Sequence, residues 1–386
     1  MIVVQESVSL KPKLFLTNMV KVFIGISFVL IGVFSCNNRK HQDTALFIDL
    51  RTDTVIPKHY IITKSSEHIF IDGKADEAVW QSAVFSDYFV DIEGVEKPEY
   101  DTRFKMLWDE KYLYLYVEME EPHIWANLKQ RDTVIFFNND FEVFIDPSGT
   151  TKNYAEIEIN ALGTVWDLLM DRPYYRSGRA NNHWNLDALK ATIKVYGSLN
   201  NPHDIDSLWA IEMAIPMDAL TELRNSHGIL LEEGELWRIN FLRVEWDFDI
   251  IDGIYYRKKI NGDFLENYNW VWSSQKVMKM HEPEKWGYLQ FTHESSAENI
   301  AIVKDENMLI KQVLYALMRQ TGYGSLQNLQ KQKAGYIKNI NVQFSDTDTL
   351  KAVFYKTNYG FEFTIKDKQS GKTFVINEGG MLKTIK

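Results

Sequence analysis

An alternation of apolar and acidic residues between Asn138 and Leu168 predicts two long antiparallel strands joined by one turn. A period of two is typical of a half-buried strand. The apolar positions with this period are Phe141, Val143, Ile145, Ala155, Ile157 and Ile159. Phe144 breaks the alternation, and the sequence from Pro147 to Gly149 supplies the turn. One face of the predicted hairpin is therefore apolar and the other acidic.

Further alternating runs predict more strands of the same kind. The strongest runs are Thr102 to Trp108, Tyr112 to Glu120, Leu208 to Ile215 and Leu236 to Trp246. In the last run, polar Arg243 and Glu245 fall on the apolar face, so we expect a β-bulge near Leu242. Many strands, turns rich in Gly and Asn, and few helices predict a mostly β fold, an antiparallel β-sandwich, over residues 61–294.

The pattern changes after residue 294. Apolar residues recur at helical spacing between Ala297 and Gln320, and Gly322 and Gly324 are expected to stop this helix. Alternating runs follow at residues 340–344 and 361–365. Residues 295–386 are therefore predicted to form a small α+β domain, and they contain no recognisable chemical motif.

The N-terminal region has the pattern of a processing signal. Lys21 precedes an apolar run from Val22 to Phe34, which is short for a membrane span and suits a signal peptide. Ser35 and Cys36 follow this run. Cys36 is the only cysteine of the chain, and Val-Phe-Ser-Cys resembles a bacterial lipobox. We therefore expect a lipoprotein signal peptide over residues 1–35 and lipidation of Cys36.

Residues 36–60 are polar and mixed in charge, which predicts a tether between the membrane and the folded domain. The expected location is the bacterial cell envelope, at the outer membrane or facing the periplasm. An ordinary secretory signal and an uncleaved anchor are the alternatives.

Charge and motif content exclude several classes of function. The chain has 53 acidic and 43 basic residues and a net charge of −10, whereas nucleic acid binding requires a basic surface. Glycine-rich phosphate loops and the motifs HExxH, CxxC and GxSxG are absent from the sequence. The lone cysteine lies at the predicted lipidation point, so a cysteine nucleophile and a disulfide within the mature chain are both excluded.

The acidic face of the central hairpin is the first candidate for chemistry. Pairing through the turn would bring Asp140, Glu142, Glu156 and Glu158 together. Like charges so close are unfavourable unless a cation or hydrogen-bond donors lie among them. Ligands that are all oxygen suit Ca²⁺, so a structural calcium held by Asp140, Glu156 and Glu158 is one interpretation. Contacts to sugar hydroxyls, a glycosidase pair of carboxylates and a solvated acidic face are the others.

Tryptophans provide the second candidate. The chain has 11 of them. Those in strand or helix patterns are expected in the core; they are Trp80, Trp108, Trp209 and Trp237. Others lie in polar, loop-like surroundings, namely Trp125, Trp184, Trp270 and Trp272. Exposed aromatic residues on loops are costly unless they bind a ligand, and the flat apolar face of a sugar is a natural partner.

Six segments resemble family 9 carbohydrate-binding modules and occur in that family's order. They are IDGKADEAVW from Ile71, NDFEVFIDP from Asn139, YAEIEINALGTVWDLL from Tyr154, WAIEMAIP from Trp209, WRINFLRVEW from Trp237 and HEPEKWGYLQF from His281. The chain also resembles stand-alone bacterial proteins of this type, which carry a lipoprotein signal and an extra C-terminal segment but no catalytic domain.

The resemblance implies a β-sandwich that holds the end of a glycan between two tryptophans, with calcium as a structural ion. By position, Trp125 matches one clamp residue and Trp272, or else Trp270, matches the other. Asn269 and Glu142 match the flanking polar contacts. Trp184 lies in an insert at residues 173–185, which is expected to reshape the site.

Together these observations predict a non-catalytic, envelope-anchored protein that binds glycan ends or oligosaccharides during polysaccharide use. The runner-up is a glycoside hydrolase-type enzyme that acts on O-glycosyl bonds through the central carboxylates. A haem or redox sandwich module is the third interpretation.

Overall fold

The computed structural model describes residues 44–224 and 230–385. The predicted signal peptide over residues 1–35 and the predicted lipidation of Cys36 lie outside these ranges. Within them the regular structure is mostly β, with two α-helices, α1 (Met217–Leu223) and α2 (Met308–Tyr323). No helix in the described ranges is long and apolar enough to cross a membrane.

The strands are numbered in chain order. The first eighteen are β1 Leu46–Asp49, β2 His59–Lys64, β3 Val90–Asp91, β4 Thr102–Trp108, β5 Tyr112–Glu120, β6 Asp140–Asp146, β7 Tyr154–Asn160, β8 Val165–Met170, β9 Ala180–Asn181, β10 Lys190–Tyr196, β11 Leu208–Pro216, β12 Leu236–Glu245, β13 Phe248–Ile251, β14 Ile254–Arg257, β15 Lys259–Ile260, β16 Asp263–Phe264, β17 Tyr268–Val271 and β18 Gly287–Phe291. The last five are β19 Ile337–Gln343, β20 Thr349–Lys356, β21 Phe361–Lys366, β22 Thr373–Asn377 and β23 Leu382–Ile385.

Two sheets form a sandwich, and β2 belongs to both. One sheet has the order β10-β11-β5-β4-β2, and the other continues from β2 as β18-β12-β6-β7-β8-β9, with β17 and β3 at the side of β12. Pairing is antiparallel except at β2, which runs parallel to β4 and to β18. Side chains of both sheets fill the core between them, among them Phe104, Val117, Ile157 and Trp237. The predicted β-sandwich is confirmed.

The hairpin predicted from the alternating pattern is formed by β6 and β7. Glu142 lies opposite Glu158, and Val143 lies opposite Ile157. The apolar positions of both strands point into the sandwich core. Gly149 has a φ of +61° in the turn, a left-handed conformation that glycine adopts readily. The acidic face of the hairpin is buried as well.

The tryptophans expected in the core are buried, which confirms that prediction. They are Trp80, Trp108, Trp209 and Trp237. Trp80 lies in a smaller cluster on the outer side of β5 with Leu107 and Tyr114. Its indole Nε1 donates a hydrogen bond of 3.2 Å to Glu212, so both the ring and its polar atom are accommodated away from water.

The bulge predicted near Leu242 is wrong. The register of β12 with β6 is unbroken along the whole of their shared length, and β12 changes its other partner from β18 to β17. Arg243 and Glu245 remain on the inner side of the sheet. Arg243 Nη2 lies 2.7 Å from Glu121 and 2.8 Å from Glu245. Because these buried charges are paired with one another, the strand does not need to turn them outward.

The C-terminal sheet has the order β1-β19-β20-β21-β22-β23, with α2 packed against it. β1 runs parallel to β19. Residues 36–60 are predicted to be a tether, whereas the structure places residues 46–49 in this sheet. The physical reason is that Ile48 and Leu50 are buried in the apolar cluster that α2 covers. In the sequence these two residues are a short apolar signal among polar neighbours.

Buried ion pairs fix α2 against the sandwich. The helix begins at Met308, later than the start near Ala297 suggested by its spacing. Its Arg319 pairs with Glu284 and, at 3.3 Å, with Glu282. All three charges are buried, so removing one partner would leave an uncompensated charge in the interior. The helix is therefore held in one position by charge as well as by apolar packing.

Candidate functional site

The predicted acidic cluster is formed on the outer face of the central hairpin, where it is buried. Asp140, Glu142, Glu156 and Glu158 are 0%, 4%, 5% and 2% exposed. Each of Asp140, Glu142 and Glu158 offers a carboxylate oxygen within 4.8 Å of those of the other two. Apolar side chains surround them on this face of the sheet, including Phe144. The interpretation as a solvated acidic face is therefore wrong.

Few protein groups compensate these carboxylates. Glu158 Oε2 accepts a hydrogen bond of 3.1 Å from the backbone N–H of Phe136. Both carboxylate oxygens of Asp140 and Oε2 of Glu156 are buried without a hydrogen-bond partner in the described part of the chain. His281 Nε2 lies 3.9 Å from Glu156 Oε2, which is beyond hydrogen-bonding distance.

The electrostatics of the cluster follow from burial and mutual repulsion. Burial raises the pKa of Asp140, Glu142 and Glu158 well above the ordinary range, and the neighbouring carboxylates raise it further. Burial also raises the pKa of Glu156 to about 8 and lowers the pKa of His281 to about 4. His281 is then neutral at pH 7 and supplies no counter-charge. Protons or a hard cation would relieve the repulsion.

The expected tryptophan clamp is not formed. Trp272 is 2% exposed and packs inside the sandwich, edge-on to Phe104 with ring centroids 5.3 Å apart. Trp270 is 4% exposed and lies 5.1 Å from the Arg243 guanidinium. Trp125 belongs to the apolar cluster on the outer face of the sheet that contains β6, β7 and β12, and it stacks on Tyr255. Trp270 and Trp272 point to the interior, so neither can face Trp125 across a ligand.

The remaining predicted contacts lie apart from one another. Trp184 is half-buried and packs against the sandwich core. Asn269 Oδ1 accepts a hydrogen bond of 2.9 Å from Asn267. Glu142 belongs to the acidic cluster. The structure therefore brings two of the predicted metal residues, Asp140 and Glu158, together with Glu142 rather than Glu156. It does not bring the predicted sugar contacts together.

Trp125 nevertheless lines an open cleft of about 480 Å³. The hairpin β13–β14 and the neighbouring β15–β16 form much of its wall. Its apolar lining is Trp125, Leu128, Phe137, Ile251, Tyr256 and Phe264, and its polar lining is Asn127, Asp249, Arg257 and Lys259. We refer to this space as the aromatic cleft.

Exposed apolar side chains surround the aromatic cleft. Ile251, Tyr256 and Phe264 are 56%, 47% and 47% exposed. A group of apolar side chains left in water usually marks a surface that binds something. At the floor, Trp125 Nε1 is a buried donor without an acceptor among the described residues. A ligand with flat apolar faces and oxygen atoms at its edges would match these features.

Most of these cleft residues have no role predicted from the sequence. The signal was present, because FDIIDGIYYRKKINGDF from Phe248 has two turn-forming Gly pairs and many apolar side chains in a short span. Two-stranded hairpins of this kind bury little surface by themselves. Apolar residues on them are therefore exposed unless a ligand covers them.

The acidic cluster should make stability depend on pH when no cation is bound. Its carboxyls hold protons more tightly in the folded chain, so the free energy of unfolding should fall as pH rises from about 4.5 towards about 8. Each such group contributes at most about 1.4 kcal/mol per pH unit. Denaturant unfolding in EDTA between pH 5 and 8 measures the slope, which Glu142→Gln should flatten. An equal slope in this variant would place the pH dependence elsewhere.

Part of the chain is similar to a known protein family. Residues 71–229 match the model of the family described as carbohydrate family 9 binding domain-like. No curated protein shows significant similarity to the sequence.

Solved structures with a similar arrangement are distant. A proposed carbohydrate-binding protein from Bacteroides uniformis is 16% identical and covers 61% of this chain and 99% of its own, with a TM-score of 0.45. Family 9 carbohydrate-binding modules from Caldicellulosiruptor kristjanssonii were solved with cellotriose (11% identity, 64% and 100% coverage, TM-score 0.38) and with glucose (12%, 62% and 98%, 0.37). At these values they do not indicate the ligand of this chain. Residues 71–229 therefore form a segment similar to the carbohydrate family 9 binding domain-like family.

Proposed function

We propose that this protein binds a carbohydrate in the aromatic cleft. The observation that carries the proposal is the group of exposed aromatic and polar side chains around Trp125, on a chain whose residues 71–229 match the model of a carbohydrate-binding family. A pyranose ring has an apolar face and a rim of hydroxyls. Phe264 and Tyr256 can cover the face, while Asn127 and Asp249 can hydrogen-bond to the hydroxyls.

The energetics support binding rather than catalysis. Removing apolar surface from water stabilises a complex by about 25 cal/mol per Å², and the half-exposed rings of Phe264 and Tyr256 offer such surface. A hydrolase using the central carboxylates would require its substrate to reach groups that are at most 5% exposed. No feature of the described residues specifically favours a hydrolase or a haem module.

We also propose that a calcium ion is bound at Asp140, Glu142 and Glu158 with a structural role. The oxygens of Asp140 lack protein partners, and the donors are all carboxylate oxygens, as a hard cation requires. This ligand set differs from the one predicted from the sequence, which had Glu156 in place of Glu142. The ion would supply the positive charge that neutral His281 does not.

We further propose that the protein is anchored in the bacterial cell envelope by lipid on Cys36, where it would hold glycans during polysaccharide use. The support is the apolar run that ends at the only cysteine. In cells, the full-length protein should fractionate with membranes, and Cys36→Ala should move it to the soluble fraction. Membrane association that persists in Cys36→Ala would contradict lipid anchoring.

Calcium binding should raise the melting temperature. Excess EDTA should lower it, and calcium should restore it, because binding to the folded state alone shifts the unfolding equilibrium. Asp140→Asn should abolish the response to calcium. Asp249→Asn, which removes a carboxylate outside the cluster, should leave the response intact. An unchanged melting temperature in EDTA would contradict the proposed structural role of calcium.

Sugar binding should depend on the exposed rings of the aromatic cleft. Phe264→Ala should weaken binding of cello- and xylo-oligosaccharides at least about tenfold, the effect of losing an aromatic contact of about 1.4 kcal/mol, with little change in stability. Isothermal titration calorimetry and thermal melting measure the two effects.

Two variants serve as controls for this experiment. Phe70→Ala removes a ring that is 74% exposed and does not line the cleft, so it should bind normally. Trp272→Ala should destabilise the fold by about 3 to 5 kcal/mol, since it empties a core position. Full affinity in both Phe264→Ala and Tyr256→Ala would show that the ligand binds elsewhere.

A further inference from the structure

We propose that the aromatic cleft recognises an acidic sugar, a uronic acid, whose carboxylate binds Arg257. The inference rests on the proposed function, because it places the charged group of the ligand in the same cleft. Its starting point is the environment of Arg257, which lines the cleft from the end of β14.

Arg257 is held by aromatic rings. Its guanidinium carbon lies 4.1 Å from the ring centroid of Phe264, 4.5 Å from that of Phe137 and 4.6 Å from that of Trp246. Such contacts stabilise the cation through the ring faces and leave the N–H donors at the edge of the guanidinium plane unused. The side chain is thus positioned without its hydrogen-bonding capacity being consumed.

Two other half-buried or buried arginines are each paired with a glutamate. Arg103 lies 2.7 Å from Glu118, and Arg243 lies 2.7 Å from Glu121. Across residues 44–224 and 230–385, no carboxylate forms an ion pair with Arg257. A partly buried cation loses hydration, which only a partner of opposite charge offsets fully. In the proposed complex, the ligand supplies the negative charge that pairs with Arg257.

A planar carboxylate fits this donor better than other anions do. The guanidinium fork can donate two parallel hydrogen bonds to the two oxygens of one carboxylate, and such charge-assisted pairs are among the strongest in proteins. The rings of Phe264 and Tyr256 beside Arg257 can cover the sugar ring that carries the carboxylate. One pyranose residue would therefore engage the cation and the apolar wall together.

Charge also limits the length of the ligand. Arg257 and Lys259 outnumber Asp249 in the cleft lining by one, whereas the whole chain has a net charge of −10. A long polyanion would be repelled beyond the cleft, while one or a few acidic residues would feel mainly the local cations. The geometry favours short uronic acid oligosaccharides or a single acidic branch.

The test compares trigalacturonic acid with its methyl ester, which has nearly the same shape without the charge. Calorimetric titration of the wild-type protein should show about 10- to 100-fold tighter binding of the acid, the range for hydrogen bonds to charged groups. Arg257→Gln should abolish this preference, and Arg257→Lys should restore only part of it, because lysine keeps the charge without the fork.

Arg51→Gln is the matched control, since Arg51 is a surface arginine on the C-terminal side of the fold that pairs with Asp49 and Asp346. It should keep the full preference. Equal affinity for acid and ester would overturn the inference while leaving carbohydrate binding intact, and so would binding of galactose 6-sulfate in preference to the uronic acid. Failure to bind these sugars and neutral oligosaccharides alike would overturn the proposed function as well.

Discussion

The burial of both faces of the central hairpin is the constraint on which the rest of the structure depends. The inner face of β6 and β7 supplies apolar side chains to the sandwich core, and the outer face places four carboxylates under apolar cover. A sheet with one wet face would leave those carboxylates in water. Because they are covered instead, the outer side of the sheet needs a source of positive charge or protons, which the surrounding protein groups do not supply.

Local periodicity was sufficient to predict several strands and the pairing of β6 with β7. Alternation in β6 and β7 determines which side chains share a face of the sheet. The register depends on the connection, which extends from Pro147 to Asn153 and is longer than the predicted turn from Pro147 to Gly149. The alternation predicts that Glu142 and Glu158 come close together, and the two residues lie opposite each other. Features of this kind depend on neighbours within a few residues, and for that reason the sequence reveals them.

Features that depend on distant partners were not predictable in this way. In the sequence, Arg243 is a polar residue at an apolar position. In the structure it pairs with Glu121, which lies more than a hundred residues earlier in the chain. Trp272 is predicted to be a loop residue because polar residues follow it in the sequence. Its packing partner Phe104 lies in another strand. The aromatic cleft joins Trp125 and Phe137 to hairpins near residue 256. The periodicity of one segment cannot predict contacts between residues that are distant in the sequence.

The parallel pairing of β1 with β19 has a consequence for how the chain is made. Leu46 lies opposite Ile340, so the first strand leaves the ribosome well before its partner exists. At a synthesis rate of roughly 5 to 20 residues per second, the delay is on the order of 15 to 60 s. During that time β1 has no partner strand, and the strands of the sandwich, which end with β18 at Phe291, are synthesised before β19. The C-terminal sheet can therefore close only after nearly the whole chain has been synthesised.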